Sequence, residues 1–112
     1  MNTFMMSGHI GSDPELRQLE GGSSVLRFRV ADNVDVKRQG EWTKHTNWYT
    51  VELWNRQAKS AATFLKKGQK ISVSGELRIE QYGEMDNLRT DIKIVNVNFD
   101  LQERREEQMV GA

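Results

Sequence analysis

Trp48 and Trp54 stand six residues apart in Asn47-Trp48-Tyr49-Thr50-Val51-Glu52-Leu53-Trp54, where Tyr49, Val51 and Leu53 alternate with the rest. Side chains along an extended chain have a period of two, so this spacing puts both indoles on the face that also carries Thr50 and Glu52. An indole turned toward water calls for a partner: a nucleobase, another subunit or a packed loop. Any base can stack on an indole, worth about 1–3 kcal/mol each, without sequence readout. Arg27, Arg29, Lys37, Arg38, Lys44, Arg56 and Arg78 can supply phosphate contacts near such rings. Aromatics interleaved with cations on one face suit a single-strand platform. On pattern alone the bland reading stands beside it: the indoles pack under a loop or in a dimer contact, and Arg27 and Arg29 are a solvated face. Trp42 reads as the anchor of a loop, and Tyr82 beside Gly83 as turn chemistry.

Other chemistries find little support. Cysteine is absent, which removes disulfides, thiolate metal sites and cysteine nucleophiles. There is no phosphate-cradling glycine loop and no metal-spaced histidine cluster; His9 and His45 read as surface or core residues. The carboxylate pairs Glu76 with Glu80 and Glu84 with Asp86 lack apolar walls that would raise a pKa. Neither catalysis nor a cofactor or metal is expected. Sixteen Lys and Arg balance sixteen Asp and Glu, so any polyanion site must arise from local segregation of charge. The first residues, Met1-Asn2-Thr3-Phe4-Met5-Met6-Ser7, lack a basic leader pattern, and no apolar run approaches a membrane span. A cytoplasmic, nucleoid-associated location is the expectation.

A chain of 112 residues and 12.9 kDa is sized for one domain. Phe4 to Ile10 reads as a strand, broken at Gly11-Ser12-Asp13-Pro14, and Leu16 to Leu19 is short and extended at best. In Val25 to Ala31, Leu26, Phe28 and Val30 face inward while Arg27 and Arg29 face outward. Asp32 to Thr46 is polar and reads as a long flexible connection leading to the Asn47–Trp54 strand. Asn55 can cap a helix in which Ala58, Ala61, Ala62 and Leu65 share a face, with Lys66 and Lys67 in its last turn and Gly68 beyond. Lys70 to Ile79 turns Ile71, Val73, Gly75, Leu77 and Ile79 inward. A loop around Tyr82 follows. In Leu88 to Phe99 the apolar face slips between Ile94 and Val95, as a bulge or tight curve would require. Three strands, a helix and two strands is the order of the OB-fold: all-β with one helix, a five-stranded Greek-key barrel whose second and third strands bind oligonucleotides or oligosaccharides. The fold is expected over residues 1–100, with a short charged extension over 101–112.

Several segments together resemble the bacterial single-stranded DNA-binding protein family. They are Gly8-His9-Ile10-Gly11-Ser12-Asp13-Pro14-Glu15-Leu16-Arg17, the Thr46 to Trp54 strand, Phe64-Leu65-Lys66-Lys67-Gly68, and Ser74-Gly75-Glu76-Leu77-Arg78. The resemblance implies sequence-independent binding of single-stranded DNA in replication, recombination or repair, with Trp48, Trp54 and Tyr82 as stacking aromatics. A further family tryptophan has no aromatic at its place near Asp35 and Val36; Trp42 is the substitute from later in the same loop. The resemblance also implies a homotetramer, with a dimer as the variant. RNA is an alternative ligand, because no contact to a 2′-hydroxyl is readable. Family members usually continue into an acidic-tipped tail, whereas this sequence ends Met109-Val110-Gly111-Ala112, so recruitment of repair enzymes by a tail is not expected. The competing reading is a tailless OB-fold adaptor of the primosomal replication protein N type, or another non-catalytic interaction module.

Overall fold

The computed structural model describes residues 1–102. Its elements are β1 Phe4–Ile10, β2 Glu15–Gln18, β3 Ser24–Arg38, β4 Glu41–Trp54, α1 Asn55–Ala61, β5 Lys70–Tyr82 and β6 Arg89–Leu101. The strands run in the order β1-β5-β6-β4-β3-β2, and β1 also pairs with β3, which closes the circle. Only β4 and β6 are parallel among these pairings. This is the OB-fold expected from the element order, because β1 and β2 form one interrupted stave along β3. Ile10 lies opposite Val30 and Glu15 opposite Arg27, so the Gly11 to Pro14 segment steps out of register. The step is tied down on both sides of Arg29: its carbonyl accepts from Gly11 N at 2.8 Å, and its N–H donates to Ser12 Oγ at 3.1 Å.

The core follows the alternation. Leu26, Phe28 and Val30 of β3 meet Val51 and Leu53 of β4, Ile71 and Val73 of β5, and Ile94 and Val97 of β6. Burying each such side chain contributes roughly 1.5–3 kcal/mol. Helix α1 closes one end with Ala58 and Ala61, joined by Leu65.

Four details differ from expectation. Asp32 to Thr46 is not a flexible connection: β3 and β4 stay paired out to Arg38 opposite Glu41. The turn is Gln39-Gly40, both at positive φ (51° and 82°), the primed geometry whose twist matches the flanking strands. On β3 the alternation continues into the arm, with half-buried Val34 and Val36 against exposed Asn33, Asp35 and Lys37, but it rests on two apolar residues that lie opposite polar His45 and Thr43. Cross-strand contacts support the arm, including Thr46 Oγ1 donating to Asn33 Oδ1 at 2.7 Å and Thr43 Oγ1 to the Val36 carbonyl at 3.1 Å. Helix α1 ends at Ala61 rather than in the 65–67 region; the chain continues in turns, where Gln69 Nε2 donates to the Phe64 carbonyl at 3.1 Å. Asn55 does not cap the helix. It sits at φ 54° and its Oδ1 accepts from Ser24 N at 3.1 Å, which ties the start of α1 to β3. Ile79 is exposed, because by that point β5 has run past the barrel wall alongside β6.

The predicted bulge is present. Ser74 pairs with Asn98 but Glu76 with Val95, and Asn96 adopts φ 52° to absorb the extra residue. Of the extension predicted over 101–112, Glu103 to Ala112 lie outside the described residues. At the bulge, a Cβ on Gly75 would sit 2.5 Å from the Val95 carbonyl oxygen, which the backbone cannot readily yield. Gly75→Ala is therefore expected to destabilise the protein by about 1–3 kcal/mol, the usual cost of overpacking, measured from the denaturant midpoint.

Candidate nucleic-acid interface

The β3–β4 ladder runs without a register shift from Val25 opposite Trp54 to Arg38 opposite Glu41. Directly opposed residues share a face, and alternate residues of a strand share it too. Trp42, Trp48 and Trp54 therefore project from one face of β4, each separated from the next by roughly 20 Å of strand. Lys44 lies on the same face. From β3 come Arg27, Arg29 and Lys37, opposite Glu52, Thr50 and Trp42. The pairings with β6 and β5 extend the surface: Lys93 is level with Thr50, Arg78 opposite Lys93, Glu80 opposite Asp91, and Tyr82 opposite Arg89. One continuous outer face thus gathers all four candidate aromatics. Arg38 is excluded from it, because its position alternates to the other side of the arm. Arg56 joins from the first turn of α1, next to Trp54 in the chain.

Both β4 indoles predicted to face outward do so: Trp48 is 43% and Trp54 41% exposed, with Tyr82 at 53% and Trp42 at 69%. Trp48 is held in place while remaining open. The outer edge of its ring lies against Gly11, where a Cβ would collide with Cζ3 and Cη2. The Arg29 guanidinium stands over the ring, 4.6 Å from its centroid, a cation–π contact. Lys37 makes a looser approach to Trp42, Nζ lying 5.8 Å from the ring centroid.

The candidate cations divide into two groups. Arg27 donates from Nε and Nη2 to Glu52 Oε2, at 3.0 and 2.6 Å. Arg78 lies 3.7 Å from Glu76. Among the described residues, Arg29, Lys37, Arg38, Lys44 and Arg56 enter no ion pair. Among the described residues, no carboxylate meets the charge of these candidates.

The sequence reading passed over the polar row between the two tryptophans. Glu52 is buried, and its Oε2 also faces Lys93 Nζ at 3.5 Å; Lys93 in turn meets Glu80 at 2.9 Å. The hydrogen bond to Glu80 is the main reason that the Lys93 pKa lies above the ordinary lysine value, outweighing burial, with the charge of Glu52 adding to the rise. Beside them Thr50 Oγ1 donates to Asp91 at 3.3 Å. The outward period marks Glu52 and Lys93 individually, but nothing local says that they meet. Among the described residues no group of three or more His, Cys, Asp or Glu is arranged to hold a metal.

A sequence model of the single-strand binding protein family matches residues 1–102. The chain belongs to the single-strand binding protein family. Among curated members, the single-stranded DNA-binding protein of Borreliella burgdorferi is 34% identical over 82 residues, covering 73% of this chain and 55% of that protein. The Treponema pallidum protein of the same name is 30% identical over 101 residues, covering 90% and 57%. The chain thus spans little more than half the length of these relatives. Among solved structures, the small single-stranded DNA-binding protein of Streptomyces coelicolor superposes with a TM-score of 0.70 at 28% identity, covering 89% of this chain and 96% of that one. The Plasmodium falciparum protein solved with single-stranded DNA gives a TM-score of 0.78 at 20% identity, over 92% and 96%, and is similar in fold.

The contact of Trp48 with Gly11 is specific enough to test. In a Trp42→Phe, Trp54→Phe background, Gly11→Ala is expected to push the remaining indole outward and shift its emission to the red. An unchanged spectrum would mean that the ring is not seated on Gly11.

Proposed function

We propose that this chain binds single-stranded DNA without sequence preference, stacking unpaired bases on Trp48 and Trp54 and meeting the phosphates with the unpaired cations around them. The observation that carries the reading is the pair of half-exposed indoles on one face of β4, six residues apart, in a family whose members above are named for this activity. Tyr82 serves as a third stacker on the β5–β6 hairpin, and Trp42 as a fourth on the β3–β4 arm, in place of the family tryptophan missing near Asp35 and Val36. Among cations, Arg29, Lys37, Lys44 and Arg56 are the phosphate contacts of choice, with Arg38 reaching a strand only around the edge of the arm. Arg27 and Arg78 would first have to leave a carboxylate.

Sequestering bases in this way blocks re-pairing and nuclease attack, which suits a non-catalytic role in replication, recombination or repair. A homo-oligomer, taken as a tetramer, and a cytoplasmic, nucleoid-associated location complete the reading, with residues 1–100 as the binding domain. No helix among the described residues is long and apolar enough to cross a membrane. RNA is the alternative polymer, to be separated by competition between matched DNA and RNA oligomers.

Titration with oligo(dT) should quench the intrinsic tryptophan fluorescence strongly; an adaptor whose indoles contact only protein would show no response. Trp54→Ala should weaken that binding by roughly 1–3 kcal/mol with little change in Tm. Arg29→Ala should reduce the slope of log affinity against log salt by about 0.7, the share of one phosphate contact on a single strand. A retained slope would remove Arg29 from the phosphate track.

A further inference from the structure

We infer that the cross-strand chain Arg27–Glu52–Lys93–Glu80 is an internal counter-charge, which withholds two cations from the phosphates of a bound strand and so limits both affinity and its dependence on salt. The inference rests on the single-strand binding reading above and adds the element that tunes it.

The four side chains come from four strands, β3, β4, β6 and β5, and alternate in sign. Their charges sum to zero. They cross the outer face at Glu52, between Trp48 and Trp54, where a strand stacked on both indoles must pass. The side chains of Glu52 and Lys93 are only 6% and 16% exposed, so salt in solution screens this pair poorly. A phosphate that approached Lys93 would have to displace Glu80 from 2.9 Å. The freed carboxylate would then take up a cation from solution as the phosphate sheds one, and no net counterion release would drive the exchange. Arg27 is in the same position with respect to Glu52, which it contacts through two nitrogens. This strip therefore favours bases over phosphates, and the backbone is left to cations outside it, such as Arg29 and Lys44.

The chain also explains a buried carboxylate in the middle of a surface meant for a polyanion. Glu52 on its own would repel phosphate. With Arg27 and Lys93 against it, its charge is met within the protein, and both cations are held at fixed places. Removing one partner of such a pair leaves the other uncompensated, so the informative change is at the exposed end of the chain, Glu80.

The test is a salt titration of oligo(dT) affinity on the full chain, comparing the wild type with Glu80→Gln and Glu52→Gln. Glu80 is half-exposed, so Glu80→Gln is expected to keep the fold and free Lys93 of its closer carboxylate, leaving Glu52 shared between two cations with one positive charge unmet. Its log–log slope should steepen by about 0.7, so that each tenfold reduction in salt favours the variant over wild type by about fivefold. Glu52→Gln should steepen the slope by a similar amount by releasing Arg27, because Lys93 keeps its closer partner Glu80. In the same Glu80→Gln protein, NMR titration of the Lys93 side chain should show its pKa moving down, which confirms that the pair has been broken. Once that is seen, an unchanged slope would overturn the inference. Weaker binding at every salt concentration would overturn it too, by showing that the carboxylates present the cations to phosphate rather than withhold them. A wild type that fails to bind oligo(dT) at all would instead defeat the underlying reading of function.

Discussion

The unbroken register of the β3–β4 ladder is the constraint on which the rest depends. Because alternate residues face opposite ways, a slip of one position would send Trp48 and Trp54 into the barrel and turn Val51 and Leu53 out to water. Three features hold it. At the barrel end, Leu26 and Phe28 are locked against Leu53 and Val51 within a core that tolerates no exchange of faces. At the far end the Gln39-Gly40 turn sets the pairing by its own geometry. Between them, Arg27 opposite Glu52 places opposite charges side by side on the outer face.

Closure of the barrel and construction of the outer face meet at one point. Where the first stave is interrupted between Ile10 and Glu15, Gly11 and Ser12 grip the backbone of Arg29, and the side chain of that arginine lies over Trp48. The same Gly11 makes room for the indole's outer edge. A break that removes strand pairing from the fold therefore supplies the seat of an exposed aromatic ring. Under the stacking proposed above, an indole held in this way would lose little further freedom on meeting a base, so more of the stacking energy would appear as affinity.

Charge on this face is organised by pairing rather than by excess. The chain as a whole is formally neutral, and the linked side chains Arg27, Glu52, Lys93 and Glu80 that cross between the tryptophans are neutral as well. Cations that have no carboxylate partner among the described residues, such as Arg29 and Lys44, stand beside them. A single-stranded polymer has two chemically different edges, bases and phosphates, and such an arrangement gives each edge a different part of the surface.

The sequence by itself determined which residues could lie on which side of each strand, since alternation is local: Trp48 and Trp54 out, Val51 and Leu53 in, and the bulge where Ile94 gives way to Val95. Segments whose motifs survive as short contiguous runs were equally readable, and so was the OB-fold that they compose. The paired arm from Asp32 to Thr46 was not, because its alternation rests on Val34 and Val36 alone and meets polar His45 and Thr43 on the facing strand. The early end of α1 and the role of Asn55 were hidden for a related reason: the groups that settle them, Gln69 and the Ser24 N–H, lie in other turns and strands. Only the tertiary structure could bring Glu52, Lys93 and Glu80 together or seat Trp48 on Gly11. Those contacts join residues on different strands, and their geometry is decided by strand register and barrel closure, which no local periodicity encodes.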